Sequence, residues 1–313
     1  MDKETIPDSD WKKNHFDAYL TPQLDSLVYN LKNDWDFVIL ITGDRMVRTG
    51  KSVLAMNICS YLSKRIGTPY TLNNVFMDSK TMMKESFKLP KHSIIHYDEG
   101  AETLRKGKSF NSFQYKLIDY FNEVGQMNHI FVIVLPDFFD LIESIAVART
   151  EFLINVYRTE EKKMLNLYGE GEIPIVKFGR GRFIFYNRER KRNLYDLSIG
   201  SKKKSYNLVK GNFFGKFLNY YPLNEQEYRN KKMEVFKRFE KRKEEQKDNL
   251  RDLIIAKLNK QGMTPLEIGK HLKETYKYEI SHRYVQLIVR NAKIADELME
   301  DEEIEGGAGV ITE

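Results

Sequence analysis

Four short apolar runs alternate with helical segments between residues 36 and 158, and this alternation restricts the fold more than any other feature. The runs are Phe37–Ile41, Ser93–Tyr97, Ile130–Leu135 and Phe152–Tyr157. Near-continuous apolar strands are typical of a parallel sheet that is covered on both faces. Helical periodicity lies between the runs, over Ser52–Lys64, Phe110–Val124 and Phe138–Val147. The sequence therefore predicts an α/β fold with a mainly parallel sheet.

The rest of the chain predicts an extension of this core and a separate module. Short apolar runs separated by glycines over 159–215 favour β-hairpins at the rim of the core. We predict five segments in chain order: an N-terminal arm ending in a short helix (1–35), an α/β core with its β extension (36–224), a charged linker helix (225–249), a small all-α module (250–295) and an acidic flexible tail (296–313).

The composition indicates a globular protein. Apolar residues make up 41% of the chain and aromatic residues 12%, which favours a packed core over disorder. The single cysteine, Cys59, excludes a disulfide framework and fits a reducing compartment. No apolar run approaches the roughly 18–20 residues that span a bilayer, and the N-terminus has no signal-peptide core. We expect a soluble, cytoplasmic protein without membrane insertion.

The positive charge is unevenly distributed. The net charge is +6, and the stretch from Lys177 to Lys204 holds ten Lys or Arg residues against Glu189 and Asp196. Such a block suggests an anionic partner, of which nucleic acid is the usual one. A solvated, lysine-rich surface explains the charge equally well.

The loop after the first apolar run carries the strongest chemical signal. Residues 36–52 read DFVILITGDRMVRTGKS, so an apolar strand leads into a loop that ends in Gly-Lys-Ser before a helix. In a phosphate-binding loop, backbone N–H groups and one lysine surround the β- and γ-phosphates, while a Ser or Thr hydroxyl binds Mg²⁺. The candidate nucleotide-binding residues are Gly43, Arg48, Thr49, Gly50, Lys51, Ser52 and Val53, with Ser52 also a metal ligand.

The spacing of this loop departs from the usual GxxxxGK[ST] pattern. The pattern places a glycine at position 45, where the chain has Arg45, and Gly43 comes two residues too early. Arg45 and Arg48 could give phosphate oxygens the guanidinium contacts that the missing glycine's backbone would otherwise provide. Alternatively, the two extra residues bulge out before Gly50.

A second motif, SIIHYDEG at residues 93–100, places two carboxylates at the end of an apolar strand. Asp98 would hold Mg²⁺ through water, and Glu99 would polarise the attacking water, which together provide the charge balance of Mg²⁺-nucleotide hydrolysis. Asp-Glu-Gly is also an ordinary turn. Its position 47 residues after the Gly-Lys-Ser tripeptide favours the catalytic interpretation.

The C-terminal part resembles a helix-turn-helix module in its helix count and capping. Thr264 and Pro265 can start one helix, and Ser281 can cap the next, HRYVQLIVRNAK. The intervening KETYKYEI is longer than the usual three- to four-residue turn. Residues of the last helix that we expect to contact DNA are His282, Arg283, Tyr284, Gln286 and Arg290. A protein-docking helical bundle is the alternative.

The fragments GKSVLA, IIHYDEG and NHIFVIVLPDFFDL resemble the additional-strand P-loop ATPases. Within that class, residues 36–158 resemble the FtsK/HerA and zonular-occludens-toxin-like ATPases of viruses, plasmids and mobile elements. The resemblance implies a ring-forming motor that moves or packages DNA. The chain departs from the family at Arg45, at Pro136, where relatives often carry Gln, and in lacking the membrane helix of many toxin-like relatives.

The resemblance also implies roles for residues outside the two motifs. A polar residue on the strand beside the acidic motif senses the γ-phosphate in related ATPases, which makes Asn128 and His129 weak candidates. Arg149 resembles the arginine that opens the matching strand in hexameric motors, where it would stabilise transition-state charge in a neighbouring site. A salt-bridged surface arginine is an equal alternative.

The sequence thus predicts an ATPase that uses ATP and Mg²⁺ and acts on DNA, as in translocation, packaging or mobilisation of viral or plasmid DNA. Its expected catalytic residues are Glu99, Lys51 and Arg149, its expected metal ligands are Ser52 and Asp98, and a homo-oligomeric ring is a possible assembly. A nucleotide-gated DNA-binding regulator or replication-initiation factor is the first alternative. A non-catalytic nucleotide-binding scaffold is the second.

Overall fold

The computed structural model describes residues 14–43, 48–98, 108–167 and 171–292. It divides the chain into two compact units, with the boundary between Phe236 and Lys237. Arg45, Glu99 and the predicted tail at 296–313 lie outside the described residues.

The first unit is built on a seven-stranded sheet. The strands are β1 (Phe37–Gly43), β2 (Val75–Phe76), β3 (Ile94–Asp98), β4 (Ile130–Val134), β5 (Phe152–Leu167), β6 (Gly171–Tyr186) and β7 (Phe213–Lys216). Their order in the sheet is β2-β3-β4-β1-β5-β6-β7. Neighbours from β2 to β5 are parallel, whereas β6 and β7 are antiparallel to their neighbours. The predicted α/β class with a mainly parallel sheet is confirmed.

Helices pack on both faces of this sheet, and further helices build the second unit. The helices are α1 (Thr21–Leu31), α2 (Lys51–Ile66), α3 (Ser79–Glu85), α4 (Lys108–Val124), α5 (Arg188–Ser201), α6 (Glu225–Lys260), α7 (Pro265–Tyr276) and α8, which is described over 282–292. Helix α6 crosses the boundary between the units without a break in its helical hydrogen bonding. It therefore includes the predicted linker at 225–249 together with the first helix of the predicted module.

The sheet has an apolar core on each face, which explains its near-continuous apolar strands. On one face, Ile39 and Ile41 of β1 lie in the same buried cluster as Leu24 of α1 and Leu54 of α2. On the other face, the alternate residues of β1 share a cluster with side chains of α4 and α5. Helix α1, which we assigned to an N-terminal arm, is thus packed into the core of the first unit.

The parallel strands give the sheet two chemically different edges. We call the edge at which β1, β3 and β4 end the carboxyl edge, and the opposite edge, at which they begin, the amino edge. The register pairs Ile41 of β1 and Asp98 of β3 with the same residue of β4, Val134, so β1 and β3 end close together. The phosphate-loop candidates and the acidic motif therefore meet at the carboxyl edge.

One predicted helix is much shorter and of a different type. We expected a helix over Phe138–Val147, but the regular part is a π-helix at Ser144–Arg149, preceded by turns. The Lys191 ammonium of α5 donates to the carbonyl oxygens of Val147 and Thr150 at the end of this segment. These contacts satisfy carbonyl groups that a helix end leaves without partners.

The prediction of β-structure alone over 159–215 was wrong. Helix α5 lies within this range, and its start is capped by Asn187, whose side chain accepts a hydrogen bond from Arg190 N at 3.0 Å. The dense basic charge of this stretch obscured its apolar face. Lys191 is fully buried, and burial lowers the pKa of its ammonium to about 7, so the basic block is not uniformly solvated.

The second unit is a small helical cluster. Its buried residues come from the last turns of α6 and from α7 and α8, namely Ile255, Ile268, Leu272, Val285 and Val289. A capping box between Thr264 and Glu267 starts α7, which continues to Tyr276. The connection to α8 is thus residues 277–281, shorter than the KETYKYEI stretch that we expected.

Candidate functional site

The backbone immediately before α2 has, at residue 50, a conformation that glycine accommodates readily. Gly50 is the N-cap of α2 and has φ +101°, in the left-handed region. A Cβ at this position would lie 3.0 Å from the ring of Phe217. Arg48 also has positive φ, 61°, and Thr49 is buried with no hydrogen-bond partner for its hydroxyl among the described residues. Gly50 therefore lies directly against Phe217, the residue that follows β7.

Lys51 folds back over the end of β1. A Cβ at Gly43 would lie 3.1 Å from Lys51 Nζ and 3.3 Å from its Cδ. The lack of a side chain at Gly43 thus provides the space in which the lysine side chain lies. Helix α2 starts at this point, and the first N–H groups of a helix have no intrahelical acceptors and favour anions. A cationic side chain and a helix N-terminus consequently face the carboxyl edge together.

One hydrogen bond joins the two sequence motifs. Ser52 Oγ donates to Asp98 Oδ1 at 3.1 Å, although the residues are 46 positions apart. Ser52 belongs to the first turn of α2, and Asp98 is the last residue of β3. The hydroxyl and the carboxylate that we predicted as metal ligands are therefore adjacent.

The second carboxylate oxygen of Asp98 is held by α6. Tyr228 Oη donates a hydrogen bond to Asp98 Oδ2, and Lys232 Nζ donates to the same oxygen at 3.1 Å. The carboxyl side chain is only 2% exposed, whereas that of Lys232 is 30% exposed. A single buried carboxylate thus binds a hydroxyl from α2 together with a hydroxyl and an ammonium from α6.

These contacts keep Asp98 ionised. Burial by itself would raise the pKa of this carboxyl, but the ammonium of Lys232, His96 and the Tyr228 hydroxyl together hold the pKa below its usual value. Burial and the negative charge of Asp98 raise the pKa of Tyr228, so the phenol stays protonated and donates. Burial lowers the pKa of His96 to about 4, which leaves its ring neutral at pH 7. Asp98 therefore accepts these hydrogen bonds as a carboxylate, with a neutral imidazole on the same strand.

A tyrosine holds the last residues of β1 from the other face of the sheet. The Tyr206 hydroxyl lies within hydrogen-bonding distance of three acceptors: Gly43 O at 3.0 Å, Thr42 Oγ1 at 3.1 Å and Asp137 Oδ1 at 3.2 Å. It also accepts a hydrogen bond from Phe138 N at 3.1 Å. Asp137 follows β4 at the carboxyl edge, so this network fixes the ends of β1 and β4 to each other.

A cavity of about 430 Å³ lies beside this network. Its lining is mixed in polarity and includes Asn155, Arg158, Lys204, Tyr206 and Phe214. The two cations are already paired, Lys204 with Asp140 at 2.7 Å and Arg158 with Glu160 at 2.8 Å. The cavity is thus a recess of mixed polarity at the carboxyl edge, in which the two cations are paired within the chain and Asp137 accepts a hydrogen bond from Tyr206.

Three other candidates lie at the amino edge. Arg149 precedes β5 and forms an ion pair with Asp36, and its guanidinium also lies 5.1 Å from the centre of the Phe121 ring. Asn128 and His129 precede β4, where Asn128 Nδ2 contacts Trp35 O at 3.4 Å and His129 Nε2 contacts a backbone carbonyl at 3.2 Å. The structure therefore does not bring Arg149, Asn128 or His129 to the Ser52–Asp98 contact in the same chain.

The candidate DNA-binding residues lie on α8, and one of them differs from the rest. His282, Arg283, Gln286 and Arg290 are exposed. Tyr284 is only partly exposed, and its hydroxyl is within 2.6 Å of Arg251 Nη2 and 3.0 Å of Asp252 Oδ1 on α6. Tyr284 thus serves to hold α8 against α6, while the other four side chains face solvent.

Sequence reasoning missed Tyr228 and Lys232, which complete the Asp98 site. We predicted only a charged linker helix over 225–249. The spacing of Tyr228, Lys232 and Val235 nevertheless places them on one helical face, and Tyr228 is 4% exposed. That spacing was the available signal, but nothing in it identified Asp98 as the partner 130 residues away.

The donor set at Asp98 fits a hard cation that brings most of its own ligands. A serine hydroxyl and a carboxylate are oxygen donors, which Mg²⁺ prefers, and Mg²⁺ commonly keeps waters and phosphate oxygens as its remaining ligands. Among the described residues, no group of three His, Cys, Asp or Glu side chains converges into a metal site. The described site therefore offers a cation two oxygen donors, Ser52 Oγ and the Asp98 carboxylate.

Comparisons with known proteins do not assign a family. No protein-family model matches the chain, and no curated protein matches it significantly. Over the described residues, every helix is too short or too polar to cross a bilayer. The function therefore has to be inferred from the site itself.

Proposed function

We propose that the protein binds ATP with Mg²⁺ at the carboxyl edge and hydrolyses it, and that this activity is linked to DNA. The hydrogen bond between Ser52 and Asp98 carries the proposal. A Gly-Lys-Ser tripeptide or an acidic turn by itself is a weak signal. Their direct contact across 46 residues is the arrangement that a metal-bound triphosphate requires.

Each residue of the site has a role in this proposal. Lys51 and the N-terminal N–H groups of α2 bind the phosphates, while Ser52 and Asp98 hold the metal. Bound Mg²⁺ would neutralise charge on the phosphates and orient them for attack. Glu99 follows Asp98 in the chain and remains the proposed group that polarises the attacking water, although it lies outside the described residues.

The strand order supports the resemblance to the additional-strand P-loop ATPases. In that class, a strand separates the phosphate-loop strand from the acidic strand. Here β4 lies between β1 and β3, with parallel pairing on both sides. The resemblance and the geometry thus support the same class of enzyme.

The link to DNA rests on charge and on the second unit. Four candidate side chains of α8, including Arg283 and Arg290, face solvent, and the chain carries a net charge of +6. Lys and Arg contacts to phosphates would make DNA binding strongly dependent on salt. The five-residue connection between α7 and α8 is compatible with a helix-turn-helix module.

The first test measures ATP binding and hydrolysis by the full chain and by Lys51→Ala. We expect Lys51→Ala to lose hydrolysis by about a hundredfold or more, because a lost transition-state contact of this kind costs several kcal/mol. Lys64→Ala is the matched control, since Lys64 is an exposed lysine near the other end of α2. If neither the parent nor Lys64→Ala hydrolyses ATP and Lys51→Ala binds nucleotide as they do, the enzyme proposal fails.

The same assay with DNA separates the kinds of DNA-linked function. Stimulation by any DNA sequence supports a translocating or packaging motor, and a nucleotide-dependent ring in a mass measurement would support it further. Stimulation by one sequence alone supports a nucleotide-gated regulator. Arg283→Ala should weaken DNA binding and leave basal hydrolysis intact, whereas Lys257→Ala on α6, an exposed lysine of the same unit, should change neither.

A further inference from the structure

We propose that Lys232 closes the metal position of the site and that a divalent cation enters only by displacing its ammonium from Asp98. The inference rests on the proposed function, since it assigns the regulation of that same site. In this arrangement, α6 supplies a cation from the chain itself while the site is empty of nucleotide. Binding of the metal–triphosphate complex then exchanges one cation at Asp98 for another.

Among the described residues, three donors occupy the two oxygens of this carboxylate. Asp98 Oδ1 accepts a hydrogen bond from Ser52, and Oδ2 accepts from both Tyr228 and Lys232. The side chain is 2% exposed. Mg²⁺ binds oxygen at about 2.0–2.1 Å, and water-mediated binding also needs an accessible oxygen. Oδ2 already accepts two hydrogen bonds, so a cation reaches this oxygen only when Tyr228 or Lys232 leaves it.

Lys232 is the donor that can leave at the lowest cost. Its side chain is 30% exposed, and a lysine side chain has several rotatable bonds that can carry the ammonium into water. Tyr228 is 4% exposed and packs in the core of the first unit, with its ring 6.4 Å from that of Tyr221. Displacement of the tyrosine would disrupt the core, whereas displacement of the lysine would not.

The neighbouring lysine shows that the helix itself need not move. Lys231 Nζ donates to Leu72 O at 2.6 Å, just before β2, and Val235 packs against the core one turn further along. These contacts fix the first turns of α6 independently of Asp98. A change in the side-chain rotamer of Lys232 is therefore sufficient to open the metal position.

Electrostatics make the exchange depend on nucleotide. A free divalent cation must displace an ammonium from a buried carboxylate and leave that ammonium beside the new positive charge, which is unfavourable at short range. A triphosphate brings several negative charges to the same place and offers the released ammonium a partner. The site thus selects the metal–nucleotide complex over the free metal. Only the complex brings the negative charge that compensates both the metal ion and the released ammonium.

The proposal is tested by the binding of Mn²⁺ alone to the full chain, measured from the electron paramagnetic resonance signal of the free ion. Lys232→Met removes the charge and keeps most of the side-chain length. We expect it to bind Mn²⁺ about tenfold more tightly than the parent, which corresponds to the loss of one competing cation. Lys231→Met is the matched control and should stay within about twofold of the parent, since Lys231 does not contact Asp98. Lys232→Arg should restore weak Mn²⁺ binding.

Mn²⁺ affinity of Lys232→Met equal to or below that of the parent would overturn the proposal, as would an equal gain in Lys231→Met. Asp98→Asn in the Lys232→Met background should abolish the gain, and its persistence would place the Mn²⁺ elsewhere and also overturn the proposal. Thermal unfolding of each variant identifies those that fail to fold. Binding of ATP to the same variants is measured separately, so that a failure of nucleotide binding in all of them contradicts the proposed function while the Mn²⁺ comparison still decides the role of Lys232.

Discussion

The carboxyl edge and the amino edge of the sheet each contain an acidic residue paired with a basic residue, but the surroundings of the two pairs differ. At the carboxyl edge, buried Asp98 is shared by a serine from α2 and by a tyrosine and a lysine from α6. At the amino edge, Asp36 forms an ion pair with Arg149, and His129 contacts a backbone carbonyl. Both edges thus pair buried or half-buried charges.

The difference lies in which partners can be replaced. Asp36 and Arg149 join the segments that precede β1 and β5, and the arginine also packs over an aromatic ring. This pair fastens two strand starts. The Lys232 contact at Asp98 comes from a flexible side chain that reaches solvent, at a helix N-terminus that favours anions. Of the two acidic residues, Asp98 has the partner that can be replaced without loss of packing, as the proposed exchange of cations requires.

The largest expected effect comes from exchanging the two acidic residues for amides. Asp98→Asn should lower ATP hydrolysis by about a thousandfold, because the metal ligand is lost. Asp36→Asn should leave hydrolysis within about twofold and lower the free energy of unfolding by about 1 kcal/mol, as expected for a partly exposed ion pair. Steady-state hydrolysis and urea unfolding measure the two quantities.

A substitution of Arg149 tests the comparison of the two edges further. If it only fastens the amino edge, Arg149→Gln should behave like Asp36→Asn in both measurements. A loss of hydrolysis of about a hundredfold with unchanged stability would instead place Arg149 in the site of a neighbouring subunit.

The two glycines that flank α2 give the next largest effect. Gly50, at the carboxyl edge, and Gly67, at the other end of the helix, both have positive φ, +101° and +88°. A Cβ at Gly50 would press on Phe217, whereas a Cβ at Gly67 would have no heavy atom within 4 Å. Gly67→Ala should cost about 1 kcal/mol from backbone strain alone, and Gly50→Ala should cost more and weaken ATP binding by about tenfold or more.

Urea unfolding and nucleotide titration of both variants test this expectation. Equal losses of stability with unchanged ATP affinity in both variants would mean that the loop before α2 is only a structural cap.

The smallest expected effect concerns pH. Burial lowers the pKa of His129 to about 4 from 6.5, so between these values the unfolded chain takes up a proton that the native protein excludes. The free energy of unfolding should therefore fall by about 2 kcal/mol through this group as the pH drops from about 7 to 5. His129→Gln should remove that part of the pH dependence and leave ATP affinity at pH 7 unchanged.

Urea unfolding of parent and variant at both pH values provides the measurement. His96, whose pKa burial also lowers to about 4, should preserve a similar acid dependence in His129→Gln. If the free energy of unfolding of His129→Gln falls as much between pH 7 and pH 5 as that of the parent, His129 is protonated in the folded protein at pH 5.

The sequence was sufficient for the parts of the fold and of the site that depend on local patterns. The apolar runs predicted β1, β3, β4 and the start of β5 because a strand buried on both faces has a distinctive composition. The Gly-Lys-Ser tripeptide and the acidic pair could be recognised from their positions beside those runs. Their contact through Ser52 and Asp98 then follows from parallel strands that end at one edge.

Other features depended on contacts that no local pattern contains. Helix α5 was missed because basic residues dominate it, and the buried Lys191 is stabilised by carbonyl groups from another segment. Tyr228 and Lys232 looked like members of a solvated helix because their partner is 130 or more residues away. Secondary-structure propensity describes the conformation that a segment prefers by itself. The environments of Lys191, Tyr228 and Lys232 instead depend on tertiary contacts.

The long hairpin of β5 and β6 exposes strand edges that affect whether copies of this protein associate. Beyond the residues paired with β1 and β7, the two strands pair with no other described strand over Thr159–Leu167 and Gly171–Gly179, a ribbon roughly 30 Å long. Exposed strand edges can add strands from other molecules and so start aggregation. This ribbon carries Lys162, Lys163 and Lys177, and Pro174 lacks an N–H group. Its charges and its proline thus oppose edge-to-edge association, whereas the exposed Met164, Val176 and Phe178 of the same ribbon favour it.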